Sequence, residues 1–260
     1  IIASGSSFTM VSSGWDHTNA IRTNGTLWSW GAADVGQLGY TASWIAVTGT
    51  KIQSTTVAIR SDYKLFTWGQ NTYGQLGDST TANKSSPVQI GTSSWSSIGA
   101  GKGAVYAIRS DGGLFTWGLN ANGELGDNTT TNRSSPVQVG TSSWTAVDGS
   151  LSGAAAIRSD NTLWSWGAGA IGFGTTTTIG QSSPTQIRSG VGEGTSLFTK
   201  VVLGNNFGMA IDTSNKLYLM SAFVNPPTPA PYVNSKGSLL SPTVFNSWTA
   251  ISGSTTNQIA

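Results

Sequence analysis

From Ser142 to Gly167 the chain reads SSWTAVDGSLSGAAAIRSDNTLWSWG, with apolar residues in short blocks separated by Gly, Ser, Asp and Asn. Trp164 and Trp166 stand two residues apart, which in an extended backbone puts both on one face. No segment shows the 3.6-residue apolar spacing of a helix over a useful length. The pattern predicts short strands joined by tight turns, in an all-β chain.

The block recurs. Trp30, Trp68, Trp117 and Trp166 each close LWSWG or LFTWG, the last three 49 residues apart. A second marker precedes them: Phe8 in SFTMV, Trp44 in SWIAV, Trp95 in SWSSI and Trp144 in SWTAV, followed later by Phe198 in LFTKV and Trp248 in SWTAI. Between the two markers runs AIR, at 20–22, 58–60, 107–109 and 156–158, decayed to AID at 210–212. TNG, SDY, SDG, SDN and TSN follow it, suited to hairpins because Asn, Asp and Gly tolerate left-handed backbone angles. GQLG or GELG and then SSPVQI, SSPVQV or SSPTQI complete the unit. Each unit thus supplies four short strands, and a period near 50 residues marks an array or a propeller. A single blade cannot bury both faces, so Leu163 and Trp166 are expected to cement neighbouring blades, and Gly167 to permit a close turn.

The run L-x-x-W-G-x-N-x-x-G-Q-L-G-D, followed by S-S-P-V-Q-I, a Trp and A-I-R-S-D-G, resembles the regulator of chromosome condensation repeat, in the form found in bacterial and bacteriophage proteins. GWDHTNAIRTNGTLWSWG at 14–31 keeps the His-Thr pair typical of that repeat. The resemblance covers nearly the whole chain and implies a β-propeller of four-stranded antiparallel blades, six or seven in a closed ring. It implies a structural role for His17.

Three places depart from the pattern. The first unit has 14 residues from Trp30 to Trp44, against 27 from Trp68 to Trp95, and lacks the SSPVQI segment. In the fifth, Met220 takes the Trp position, and a Pro-rich stretch favouring extended backbone replaces the Gly-Gln-Leu-Gly turn. The repeats divide as 1–38, 39–90, 91–139, 140–190 and 191–245, with a partial copy at 246–260. About five and a half units make one propeller domain, expected to be a piece of a longer polypeptide.

Composition narrows the function. Charged residues are 9% of the chain and the net charge is +2, with 13 Lys and Arg spread singly against 11 Asp and Glu. Phosphate binding needs concentrated positive charge, so nucleic acid is a poor candidate. No Cys is present, which removes disulfides, thiol nucleophiles and thiolate metal sites. The longest apolar run, 216–224, is too short for a membrane helix, so no membrane insertion is expected.

Candidate chemistry is sparse, and neither catalytic residue, metal nor cofactor is expected. His17 is the only imidazole. Asp62, Asp111 and Asp160 recur in hairpin turns and Asp78 and Asp127 after Leu-Gly, which favours turn capping over acid–base catalysis, where two differing environments are needed. Arg22, Arg60, Arg109 and Arg158 recur once per unit, and either bond turns and blades or ring one face and bind an anion. GAGKGA at 99–104 lacks the spacing of a phosphate loop. The sequons at Asn24, Asn83, Asn128 and Asn132 are no more than so Asn- and Thr-rich a chain yields by chance.

The family is known for guanine nucleotide exchange factors and chromatin-binding proteins, but a fold alone does not transfer activity. The low charge, absent Cys and near-identical repeats favour a non-enzymatic structural or binding propeller on an extracellular or virion surface, such as a bacteriophage tail or capsid fibre component, with a protein or glycan surface or other virion subunits as partner. A carbohydrate-binding propeller is the alternative and requires Trp residues exposed at equivalent sites. An exchange-factor-like regulator is the lesser one. The candidate partner loop is Asn225, Pro226, Pro227, Thr228, Pro229, Pro231 and Tyr232, with the insertion at 189–196 second, because loops that leave a repeat on a rigid scaffold are free to take a function. Trp30, Trp68, Trp117, Trp166, Trp44, Trp95, Trp144 and Trp248 are the expected structural core.

Overall fold

The computed structural model describes residues 7–31, 42–168, 181–187, 197–204 and 207–221. Among them the chain is entirely strands and turns. β1 (Phe8–Ser13), β2 (His17–Arg22) and β3 (Leu27–Gly31) form one antiparallel meander. β4 (Trp44–Gly49), β5 (Thr55–Arg60), β6 (Leu65–Gly69) and β7 (Lys84–Gln89) form the next. β8 (Trp95–Ala100), β9 (Ala104–Arg109), β10 (Gly113–Gly118), β11 (Arg133–Gly149), β12 (Gly153–Arg158), β13 (Leu163–Gly167) and β14 (Gln181–Gln186) form a seven-stranded run. It holds two blades, because the long β11 pairs with β10 through Val137 and Gln138 and then with β12 from Trp144 onward. β15 (Phe198–Leu203), β16 (Phe207–Asp212) and β17 (Leu217–Ser221) close the described part.

Local geometry repeats as the sequence does. The third residue of each hairpin turn has positive φ: Gly25 (81°), Tyr63 (66°), Gly112 (89°), Asn161 (65°) and Asn215 (62°). Its N–H donates to the carbonyl three residues back, at Arg22, Arg60, Arg109, Arg158 and Asp212. The first strand of every blade slips register just after its aromatic, at Phe8, Trp44, Trp95, Trp144 and Phe198, a bulge that re-aims the side chain. Gly167 is required twice over: its φ is 98°, and a Cβ there would lie 2.4 Å from the Gly153 Cα.

Alternation on the second strand divides the core between two interfaces. On β9, Val105 and Ala107 join Val57, Ile59 and Leu65 of the blade before, whereas Ala104, Tyr106 and Ile108 join Trp144, Val147 and Trp166 of the blade after. β12 does the same, Ala154 and Ala156 facing back and Ala155 and Ile157 forward onto Phe198 and Val201. Within AIR, Ala therefore contacts the preceding blade and Ile the following one. Leu163 and Trp166, both inter-blade cement, lie on opposite faces of β13. Trp164 shares the Trp166 face and packs half-buried beside it.

Seven of the eight expected core tryptophans are described. Trp44, Trp68, Trp95, Trp117, Trp144 and Trp166 are buried, while Trp30 is 39% exposed, which corrects its assignment to the core. The reason is positional. Trp117 and Trp166 donate their indole N–H to the carbonyls of Gln75 (2.9 Å) and Glu124 (2.8 Å), in the Gly-x-Leu-Gly turn of the preceding blade. Among the described residues no such turn precedes β1–β3. Trp248 lies outside the described residues.

Candidate functional site

The expected partner loop, Asn225 to Tyr232, and the insertion at 189–196 fall outside the described residues. The described surface with repeated chemistry is the edge formed by the hairpin turns. There the guanidinium of Arg22 stacks on Trp28 (4.4 Å), Arg60 on Phe66 (4.6 Å), Arg109 on Phe115 (4.9 Å) and Arg158 on Trp164 (4.8 Å). Each pair joins the last residue of a second strand to the aromatic two residues before the third strand's Trp; that aromatic faces the Ala of AIR, so guanidinium and ring are diagonal neighbours on one face of the hairpin. Arg60 and Arg109 also reach Asp62 (2.6 Å) and Asp111 (2.5 Å), whose carboxyls the guanidinium bonds hold down to about 2. Arg158 Nη2 donates to Ser142 Oγ at 2.5 Å. A cleft of about 320 Å³ opens along this edge between the second and third blades, lined by Ile90, Trp95, Arg109, Phe115, Ser135 and Pro136.

The other polar groups are held inside the scaffold. His17 is buried, with Nδ1 3.2 Å from Asp16 Oδ1 and Nε2 3.0 Å from Thr56 Oγ1 on the next blade. Burial holds its pKa below the usual histidine value against the pull of Asp16, so the neutral ring is favoured. The order Asp, His, hydroxyl is that of a hydrolytic triad, but Thr56 is fully buried and the ring packs against Gly14, where a Cβ would meet Cε1 at 2.5 Å. The contact is a joint between the first two blades.

Asn120 holds its loop as a single polar centre. Its Nδ2 donates to Asp127 Oδ1 (3.1 Å) and to the Thr129 and Thr131 carbonyls (3.1 and 3.0 Å), and its Oδ1 accepts from Leu125 N (2.9 Å). Asn71 does the same with Asp78, Thr80, Ala82 and Leu76. Asp78 and Asp127 therefore cap turns, as their recurrence suggests. Asn83 and Asn132, in two of the sequons, accept from the backbone N–H of Asn71 and Asn120.

One contact has no counterpart in the repeat. The Lys51 ammonium, buried, donates to the Leu203 carbonyl, 152 residues away, while Asp148 Oδ2 accepts from the Leu203 N–H at 2.8 Å. Two blades thus grip both backbone polar groups of the residue that ends β15. Desolvation lowers the pKa of Lys51 and raises that of Asp148, each partly offset by the charge of the other. Lys51 sits in a turn two residues longer than its equivalents, so periodicity gave no signal for it.

Four-stranded antiparallel units, packed face to face by one alternating rule, define a β-propeller. The model of the regulator of chromosome condensation (RCC1) repeat matches residues 63–108 and 111–151, and a second model of the same repeat matches 2–37. Among solved structures the chain is similar to human WBSCR16, with a TM-score of 0.74 and 17% identity over 83% of this chain and 62% of that one. It is also similar to yeast RCC1 (Prp20) bound to Kap60, with a TM-score of 0.69 and 17% identity over 82% of this chain and 56% of that one. A third is Prp20p from Saccharomyces cerevisiae, described with its binding to Gsp1p and histones, at a TM-score of 0.50 and 15% identity over 82% of this chain and 71% of that one. The chain spans less than two thirds of the length of the first two. No curated protein matches it by sequence.

Proposed function

We propose that this chain is a non-enzymatic structural and binding propeller on an extracellular or virion surface, such as a component of a bacteriophage tail or capsid fibre, where it contacts a host surface or other virion subunits. The observation that carries the reading is the row of Arg side chains stacked on aromatic rings along the turn edge. Arg and aromatic residues are the types enriched where proteins meet, and stacking keeps each guanidinium pre-organised at the surface. Low charge and the absence of Cys support a surface setting. The binding of the similar yeast proteins to Kap60, Gsp1p and histones supports protein partners.

The carbohydrate reading has less support, since the tryptophans at equivalent sites on the second, third and fourth blades are buried. The exchange-factor reading rests on the fold alone. Labelled chain added to intact host cells or particles tests the proposal. Saturable binding, competed by unlabelled chain and weakened about tenfold or more by Arg60→Glu with Arg109→Glu, is expected after surface glycans are removed. Loss of binding on glycan removal would favour the lectin reading, and absence of saturable binding would overturn the proposal.

A further inference from the structure

In the second, third and fourth blades a fourth strand flanks the third on its outer side: β7 beside β6, the first part of β11 beside β10, and β14 beside β13. In the first blade β3 ends its sheet. The length of the connection accounts for the difference. Gly31 stands 13 residues before Trp44, whereas Gly69 stands 26 before Trp95 and Gly118 26 before Trp144. The deficit follows the Gly-x-Leu-Gly turn: Gly39 stands 5 residues before Trp44, and Gly77 stands 18 before Trp95. The four residues in between are too few for a strand of the six residues that β7 and β14 take. Ser43 meets Thr26 in a single bridge and the Trp44 N–H donates to the Gly25 carbonyl, so the connection rejoins the edge only at its turn end.

The groups left open can be named. In an antiparallel ladder, alternate residues turn their N–H and C=O to opposite sides. The Arg22 N–H donates to the Thr26 carbonyl, which directs Trp28 and Trp30 into bonds with β2 and turns Ser29 and the Leu27 carbonyl outward. At the equivalent place in the second blade the Leu65 carbonyl accepts from the Ile90 N–H, and in the fourth the Leu163 carbonyl accepts from the Ile187 N–H. Among the described residues the Leu27 carbonyl and the Ser29 backbone have no such partner strand. Gly31 is correspondingly exposed, where Gly69, Gly118 and Gly167 are buried.

We propose that this edge takes an extended segment of a partner polypeptide, added antiparallel to β3 as the missing fourth strand of the first blade. The chemistry of that segment follows from its counterparts. Val88, Val137 and Thr185 lie opposite Thr67, Thr116 and Ser165, and Gln89, Gln138 and Gln186 lie opposite Phe66, Phe115 and Trp164. A β-branched residue therefore belongs opposite Ser29, facing the second blade as Val88 faces the third. A neutral polar residue belongs opposite Trp28, whose ring is 43% exposed beside it. The donor is in trans, because the Ser-Pro pairs at 86–87, 135–136, 183–184 and 241–242 each stand ahead of a later first-strand aromatic and none is left for the first blade. The inference is independent of what the turn edge binds.

A peptide with the sequence of residues 84–91, KSSPVQIG, added to the full chain probes the edge. Hydrogen exchange at the Ser29 amide is expected to slow about tenfold or more at saturating peptide, while the Trp28 and Trp30 amides, already bonded to β2, change little. N-methylation of the peptide at its Val or Ile, whose N–H groups would point at β3, is expected to abolish the protection, and N-methylation at its Gln to leave it. Unchanged Ser29 exchange at millimolar peptide would overturn the proposal, as would protection that survives N-methylation at Val and Ile. A Ser29 amide already protected in the free chain would also overturn it: at every protein concentration, by showing that the chain covers its own edge; only as concentration rises, alongside a dimer in light scattering, by assigning the edge to a second copy.

Discussion

At the scale of single residues, the same chemical type has different consequences according to where the repeat puts it. Trp117→Ala, at a fully buried site bonded to Gln75, is expected to cost about 3–5 kcal/mol, whereas Trp15→Ala, at a position 61% exposed, is expected to cost under about 1 kcal/mol in chemical denaturation. Lys51 and Asp148 form a buried pair in which neither charge is dispensable alone. Lys51→Met leaves Asp148 uncompensated and is expected to destabilise by about 3 kcal/mol, with a non-additive double-mutant cycle against Asp148→Asn. His17 adds a pH dependence of known sign. Its folded pKa lies below 6.5, so the unfolded chain takes up a proton first as the pH falls. Its contribution is complete above about pH 6.5 and is lost as pH drops below it. Thermal midpoints between pH 8 and 5 should show this decline, and His17→Gln should flatten it at the expense of overall stability.

At the scale of the element, hairpins and loops were legible because their punctuation is local. TNG, SDY, SDG, SDN and TSN each put a residue with positive φ at the third place, an outcome that the preferences of Gly, Asn and Asp determine without tertiary help, although Tyr63 meets it against its own preference. The bulge after each first-strand aromatic was not legible, since it is a shift in pairing with the second strand that no residue type in SWIAV, SWSSI or SWTAV marks. Two glycines separate conformation from space. Gly140→Ala, with φ 60° and nothing near its Cβ, is expected to cost about 1 kcal/mol. Gly126→Ala, with φ 70° and Trp166 Nε1 2.8 Å away, is expected to cost more than twice that, because the indole beneath it must also move. Asn120→Ala removes the centre of its loop, and hydrogen exchange of amides 121–132 is expected to accelerate while the strands of the blade keep their protection.

At the scale of the whole molecule, the period near 50 residues and the alternation within AIR carry nearly all of the architecture, because a blade interface is the same contact made repeatedly. The exceptions occur where that contact lacks one side. Trp30 bears the core signature and is exposed, since burial belongs to a pair of blades and the sequence of one blade shows only half of it. The candidate site was legible only in outline: recurrence marked the four Arg residues, but their seating on Trp28, Phe66, Phe115 and Trp164 depends on a diagonal pairing across the hairpin. That edge, carried on a rigid set of blades, is the basis for assigning a surface-binding role. Mass spectrometry of the fractionated native source, before and after protease shaving of intact particles and cells, tests that role most directly. Peptides of this chain enriched in the particle or extracellular fraction, and depleted by shaving from outside, are the predicted result; a free cytosolic species untouched by shaving would contradict it.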